Sequence, residues 1–187
     1  MPKQRITKEM IVDAAFHFAR EGGMEQVLVK QIASYLGCSV QPIYSYCENM
    51  EDLRNEVVAK VKDFVREYVK NHLDQSDPFR SSGQIYIQLA KEEPHLYQIF
   101  ILHERNNITS WADLYAQECS PNMAEAISEA LGMEVTQAQQ LHLHMLIYTI
   151  GLGAIFAMCK PGIPPTDIFA KQATAYQAFY AYLCKET

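Results

Sequence analysis

The chain has 187 residues, with 16 Lys and Arg against 22 Asp and Glu and a formal charge of −6. That length allows one large domain or two small ones, and a composition that is 49% hydrophobic and 20% charged excludes a disordered or collagen-like chain. The acidic total argues against a general attraction to nucleic acid, since phosphate-binding domains are usually basic.

In chain order the sequence reads as helices separated by short breaks. Thr7 caps a helix running to about Glu21, with Ile11, Ala15 and Phe18 on one face and Gly22-Gly23 ending it. A short helix from Val29 to about Leu36 stops at Gly37, and another lies within Gln41–Tyr46. Asn49 caps a long helix to about Asn71, with Glu51 and Asp52 in its first turn, where carboxylates suit the helix dipole. Its stripe of Leu53, Val57, Val61, Phe64 and Tyr68 has helical spacing. The polar stretch Asn71–Ser82 marks a break. Beyond it come helices at Gln84–Glu93, from Pro94, at Ser110–Glu118 and at Asn122–Leu131, the last ended by Gly132. Thr136 to about Lys160 is a long apolar helix stopped by Pro161-Gly162, and Thr166 caps a final helix. No alternating strand pattern exceeds a few residues, so the expected class is all-α.

Two features bear on compartment. Cys38, Cys47, Cys119, Cys159 and Cys184 are odd in number and form no C-x-x-C pair, which suggests neither a disulfide framework nor a zinc knuckle. Lys3, Arg5 and Lys8 precede no apolar run with a small-residue cleavage site, so no signal peptide is read and the cytoplasm is the expected location. Leu141–Cys159 has no Asp, Glu, Lys or Arg and is about the length of a membrane span. His142 and His144 inside it, and the Gln residues leading into it, favour a buried core or oligomer helix, and no membrane partner is expected.

Residues 28–47 are a short helix, a Gly turn and a second short helix, the organisation of a helix-turn-helix. Ile32, Ala33 and Leu36 supply a buried face, and Gly37 suits the left-handed turn. The second helix presents Ser39, Gln41, Tyr44, Ser45 and Tyr46, a polar and aromatic face suited to base edges and phosphates in the major groove. The plainer reading makes Ile43 and Tyr44 simply core and rim of a small bundle.

Ile32-Ala33, Gly37-Cys38-Ser39, Gln41-Pro42-Ile43-Tyr44, Tyr46 and Glu51-Asp52-Leu53 together resemble the N-terminal signature of the Tet-repressor (TetR/AcrR-like) regulators, over roughly residues 7–60. The sequence departs from that pattern at Leu28, Cys47 and Met50, where the family usually has Thr, Phe and Lys. The resemblance implies a DNA-binding domain over 1–48 and a regulatory and dimerisation domain over 49–187, reached through the long helix 49–71. It implies that Gln41 and Pro42 meet bases and Tyr44 and Tyr46 meet phosphates, with Lys30, Ser39, Val40 and Ser45 completing the DNA-binding set. The expected partners are double-stranded operator DNA, a small-molecule effector and a second copy of the chain. The expected activity is that of a ligand-responsive regulator, more readily a repressor than an activator.

Splitting the charge removes the objection to DNA. Residues 1–47 carry five basic and four acidic side chains, whereas residues 74–187 carry six basic and twelve acidic. The reading head is near neutral and the acidic excess belongs to the body.

For the body, Tyr86, Leu89, Tyr97, Phe100, Trp111, Tyr115, Met145, Tyr148 and Phe156 are candidate walls of a ligand pocket, each also an ordinary core residue. Glu104 and Glu118 read as solvated. Gly151, Ala154, Phe169, Ala173, Tyr176 and Tyr180 in the last two helices are candidates for the dimer interface that the resemblance implies. His142 and His144, two apart, point to different helix faces, so no metal site is expected. Cys38 and Cys47 flank the recognition helix, where packing outweighs a redox role. No nucleophile–base pair, phosphate-binding Gly loop or carboxylate pair is present, so no enzymatic activity or cofactor is expected. The competing class is a helical small-molecule-binding or enzymatic protein with a vestigial helix-turn-helix.

Overall fold

The computed structural model describes residues 6–120, 122–159 and 162–185, apart from the side chain of Pro165. Among these the regular elements are all helical, and the fold is an all-α bundle. The helices are α1 (Lys8–Gly22), α2 (Val29–Tyr35), α3 (Gln41–Tyr46), α4 (Met50–His72) and α5 (Pro78–Glu92). They continue with α6 (Pro94–Leu102), α7 (Trp111–Glu118), α8 (Met123–Leu131), α9 (Val135–Cys159) and α10 (Pro165–Leu183). Lys3, Arg5, Lys160 and Pro161, named in the sequence reading, lie outside the described residues.

The helix starts follow from local chemistry. Thr7 Oγ1 accepts from the Met10 amide at 3.2 Å, and Asn49 Oδ1 accepts from the amides of Glu51 and Asp52 at 2.8 and 3.0 Å. Gly132 closes α8 in the left-handed conformation, φ 63°. Two helix starts and one short turn differ from the sequence reading. α5 begins at Pro78, six residues early, because Pro needs no amide partner in a first turn and Asp77 Oδ1 accepts from the Arg80 amide at 3.2 Å. α10 begins at Pro165 for the same reason, so Thr166 lies inside the helix and does not cap it. A single 3-10 turn at Met24–Gln26, unread in the sequence, fills the gap between α1 and α2.

The chain divides into two compact units, one within Met1–Asn71 with Glu92–His103, the other within His72–Lys91 with Glu104–Thr187. The first is built around α1, whose Ile11, Ala14, Ala15 and Ala19 are buried together with Ile32, Ala33, Ile43 and the stripe Leu53, Val57, Val61 and Val65 of α4. Leu96 and Tyr97 of α6 are also buried in it. Small alanines on α1 allow close approach of the neighbouring helices. Ion pairs Lys8–Glu56 and Lys60–Asp13 join α1 to α4, and Arg20–Glu93 ties α1 to the residue preceding α6.

In the second unit, Ile127, Ala138, Leu141, Met145 and Leu183 form a core flanked by Phe79, Met123, Phe179 and Tyr180. Gln137 Nε2 donates to the Leu183 carbonyl at 3.0 Å, satisfying a terminal acceptor of α10 from the side of α9. α9, apolar all round in sequence, is long and apolar enough to cross a membrane, yet only 33% of its most apolar stretch is buried in this chain. Its buried face is Ala138, Leu141, Met145, Thr149, Gly153, Phe156 and Ala157. Ile147, Gly151, Ile155 and Met158 are exposed on the other.

Candidate functional site

The α2–turn–α3 segment is held by backbone bonds and two inward side chains. The Cys38 amide donates to the Ala33 carbonyl at 2.9 Å, and Gly37 has φ 64°, the left-handed turn that a β-carbon disfavours. Pro42 sits in the first turn of α3, where no amide is needed, and the helix starts at Gln41. Ile43 and Cys47, one helical turn apart, are 1% and 4% exposed and anchor α3 to the core. Burial pushes the Cys47 thiol above its ordinary pKa, which suits packing and opposes thiolate chemistry. At the position of Leu28 no side chain caps α2.

The rest of α3 apart from Pro42 faces out. Gln41, Tyr44, Ser45 and Tyr46 are exposed, as are Lys30, Ser39 and Val40, while Pro42 is half-buried. The exposed groups are not equally available. The Tyr46 hydroxyl donates to the Ile6 carbonyl at 3.1 Å, and Ser45 Oγ donates back to the Gln41 carbonyl at 3.1 Å. Among the described residues the side-chain amide of Gln41 and the hydroxyl of Tyr44 have no such partner. Lys8, the first residue of α1, is 2.5 Å from Glu56 and is already paired. The face therefore offers specific donors and acceptors in place of a dense positive charge.

The second unit holds an open-sided cavity of about 490 Å³ between α5, α8, α9 and α10. Phe79, Tyr86, Ile127, Met145, Phe169 and Tyr176 supply apolar and aromatic wall, and Ser76, Asp77 and Arg80 form an exposed rim. Gln172 Nε2 donates to Thr149 Oγ1 at 3.1 Å, and both residues are at most 6% exposed. A β-carbon on Gly83 would lie 2.4 Å from that Gln172 nitrogen, so glycine leaves room for the pair. His142 also lines the cavity; its Nδ1 and the Tyr115 hydroxyl share a hydrogen bond of 2.9 Å, and its Nε2 is 4.0 Å from Cys119 Sγ. Burial pulls His142 down to about 4 and pushes Cys119 up to about 12, so both are neutral near pH 7.

Of the nine candidate pocket residues, Tyr86 and Met145 line this cavity. Leu89, Tyr115 and Phe156 are buried, Tyr148 is half-buried, and Trp111 is 65% exposed. Tyr97 and Phe100 belong to the other unit. Glu104 is exposed as expected, but Glu118 is not solvated: Arg105 Nε lies 2.6 Å from its Oε1, and its side chain is only 10% exposed. Of the candidate dimer residues, Phe169, Ala173 and Tyr176 line the cavity, Ala154 and Tyr180 are half-buried, and Gly151 is exposed. Phe79, Thr149 and Gln172 escaped the sequence reading. Thr149 had a legible signal, being the one aliphatic hydroxyl in the charge-free stretch Leu141–Cys159. His142 and His144 face different partners, Tyr115 and Phe179, and among the described residues no group of three or more His, Cys, Asp or Glu is placed to hold a metal.

The first unit carries a helix-turn-helix, and the second, also helical, holds the cavity. The chain is similar in structure to a transcriptional regulator from Rhodococcus sp. Rha1, with a TM-score of 0.59 over 93% of this chain and 96% of that one, at 13% sequence identity. No protein-family model and no curated protein matches the sequence.

Proposed function

We propose that this chain is a TetR-like, ligand-responsive transcriptional regulator, a repressor that binds a near-palindromic operator as a homodimer in the cytoplasm and is released by a small-molecule inducer. The observation that carries the reading is the outward face of α3, where Gln41 and Tyr44 present unengaged polar groups from a helix anchored by Ile43 and Cys47. Gln pairs bidentately with adenine and Pro42 suits a thymine methyl, while Tyr44, Lys30 and Ser39 suit phosphates. The structural likeness to a transcriptional regulator supports it. In this reading residues 1–48 read DNA and residues 49–187 sense and dimerise. The exposed apolar face of α9 supports pairing with a second copy, which would set two reading helices roughly 34 Å apart. Ligand in the second unit shifts the population of α4 positions and lowers operator affinity.

Selection of genomic fragments on the full chain, followed by footprinting, tests this. A specific protected near-palindrome is expected, with Gln41→Ala and Tyr44→Ala each weakening it by about tenfold, or ~1.4 kcal/mol, at unchanged melting temperature. Failure of any fragment to compete above random DNA, or binding by both variants as tight as by the parent chain, removes the proposal.

A further inference from the structure

We infer that the cavity of the second unit takes an uncharged, ring-bearing molecule that carries one hydroxyl or carbonyl group, docked at the Thr149–Gln172 pair. This deepens the effector reading above and rests on it for its biological meaning, but the binding chemistry stands on the cavity alone.

Three observations converge. The volume of about 490 Å³ lies within the range of small-molecule sites. Phe79, Tyr86, Phe169 and Tyr176 surround it with ring faces and edges, which favour flat apolar bodies by offset and edge-to-face packing. Its ionisable lining is Asp77, Arg80, His142 and two tyrosines. Asp77 and Arg80 sit on the exposed rim, burial keeps His142 neutral, and burial raises both Tyr86 and Tyr176. A charged ligand would lose its hydration there and find no opposite charge inside.

The polar pole gives the selectivity. Thr149 and Gln172 are buried among apolar walls and already bonded to each other. A primary amide has two N–H donors and an acceptor oxygen, so the pair retains capacity for one further polar group. Gly83 keeps a β-carbon out of the space the Gln172 amide occupies. A site built around buried polar groups discriminates against a ligand that leaves them unpaired.

The test uses the full chain without DNA and four fluorescent probes of one shape: pyrene, hydroxymethylpyrene, pyrene carboxylate and aminomethylpyrene in its ammonium form. Hydroxymethylpyrene is expected to bind saturably, with both charged probes and pyrene weaker by about tenfold or more. Thr149→Val and Gln172→Met are expected to lower hydroxymethylpyrene to the affinity of pyrene, and Thr149→Ser to restore it; melting curves confirm that each variant folds. Absence of saturable binding, equal binding of either charged probe, or affinity unchanged in both folded variants overturns the assignment. Because no DNA is present, failure here leaves the operator reading standing, and failure of operator selection leaves the probe result intact.

Discussion

The two units solve the packing problem in opposite ways. In the first, alanines of α1 sit among Ile32, Ile43 and the valine stripe of α4, nearly all fully buried, and ion pairs clasp the outside. In the second, the helices stand apart around a cavity, and α9 leaves Ile147, Ile155 and Met158 uncovered. Under the proposed function, a platform that holds Gln41 and Tyr44 in place gains from close packing, because side chains locked in dense cores hold geometry. A unit that leaves apolar surface both inside and outside is suited to completion by other molecules.

That contrast can be broken by mutation. Leu53→Ala, in the close-packed unit, is expected to cost about 3.5 kcal/mol, whereas Met145→Ala on the cavity wall should cost about 2 kcal/mol, since its site already lacks some neighbours. Equal losses in urea titrations would mean that the units are packed alike.

The next effect is a pH slope confined to the second unit. His142 has a folded pKa of about 4 against an ordinary 6.5, so below 6.5 the unfolded chain binds a proton that the folded chain refuses. Stability is therefore complete above that value and falls as acid takes the pH toward 4, by about 3 kcal/mol in all. His142→Gln should flatten this part of the profile, and an unchanged slope would place its origin elsewhere.

For the proposed dimer, Ile155→Asp should weaken self-association about a hundredfold, roughly 2.7 kcal/mol, by sedimentation. The same species distribution for variant and parent would leave that face without a partner copy. The smallest expected effect is Asn49→Ala, about 1 kcal/mol of stability from loss of the α4 cap, read in the same urea titrations.

Much of this molecule was legible from residue order. Thr7, Asn49 and Gly132 marked helix ends through short-range bonds and backbone freedom, and the stripe from Leu53 to Val61 announced the buried face of α4. The exposed set on α3 was legible as a short helix with few charges and a polar, aromatic face. Signals of this kind act within a turn or two, so the chain itself carries them. The start of α5 was misread because a polar run with Pro78 resembles a loop until Asp77 is seen to cap it.

The cavity was not legible in the same way. Aromatic residues wall a pocket or fill a core according to what stands opposite them, and Tyr97, Trp111 and Tyr86 read alike in sequence yet lie in a core, at the surface and on the cavity wall. Glu118 looked solvated until Arg105 was placed beside it. The acidic total that opened the case against DNA was likewise a sum over unlike parts. The sequence by itself determined the all-helical class, the caps at Thr7 and Asn49 and the exposed face of α3, because these depend on neighbours in the chain. Only the tertiary structure decided which polar groups were already spent, as with Tyr46 on Ile6, and which stood together in the cavity, as with Thr149 and Gln172. Those pairings join residues far apart in sequence, and no local pattern encodes them.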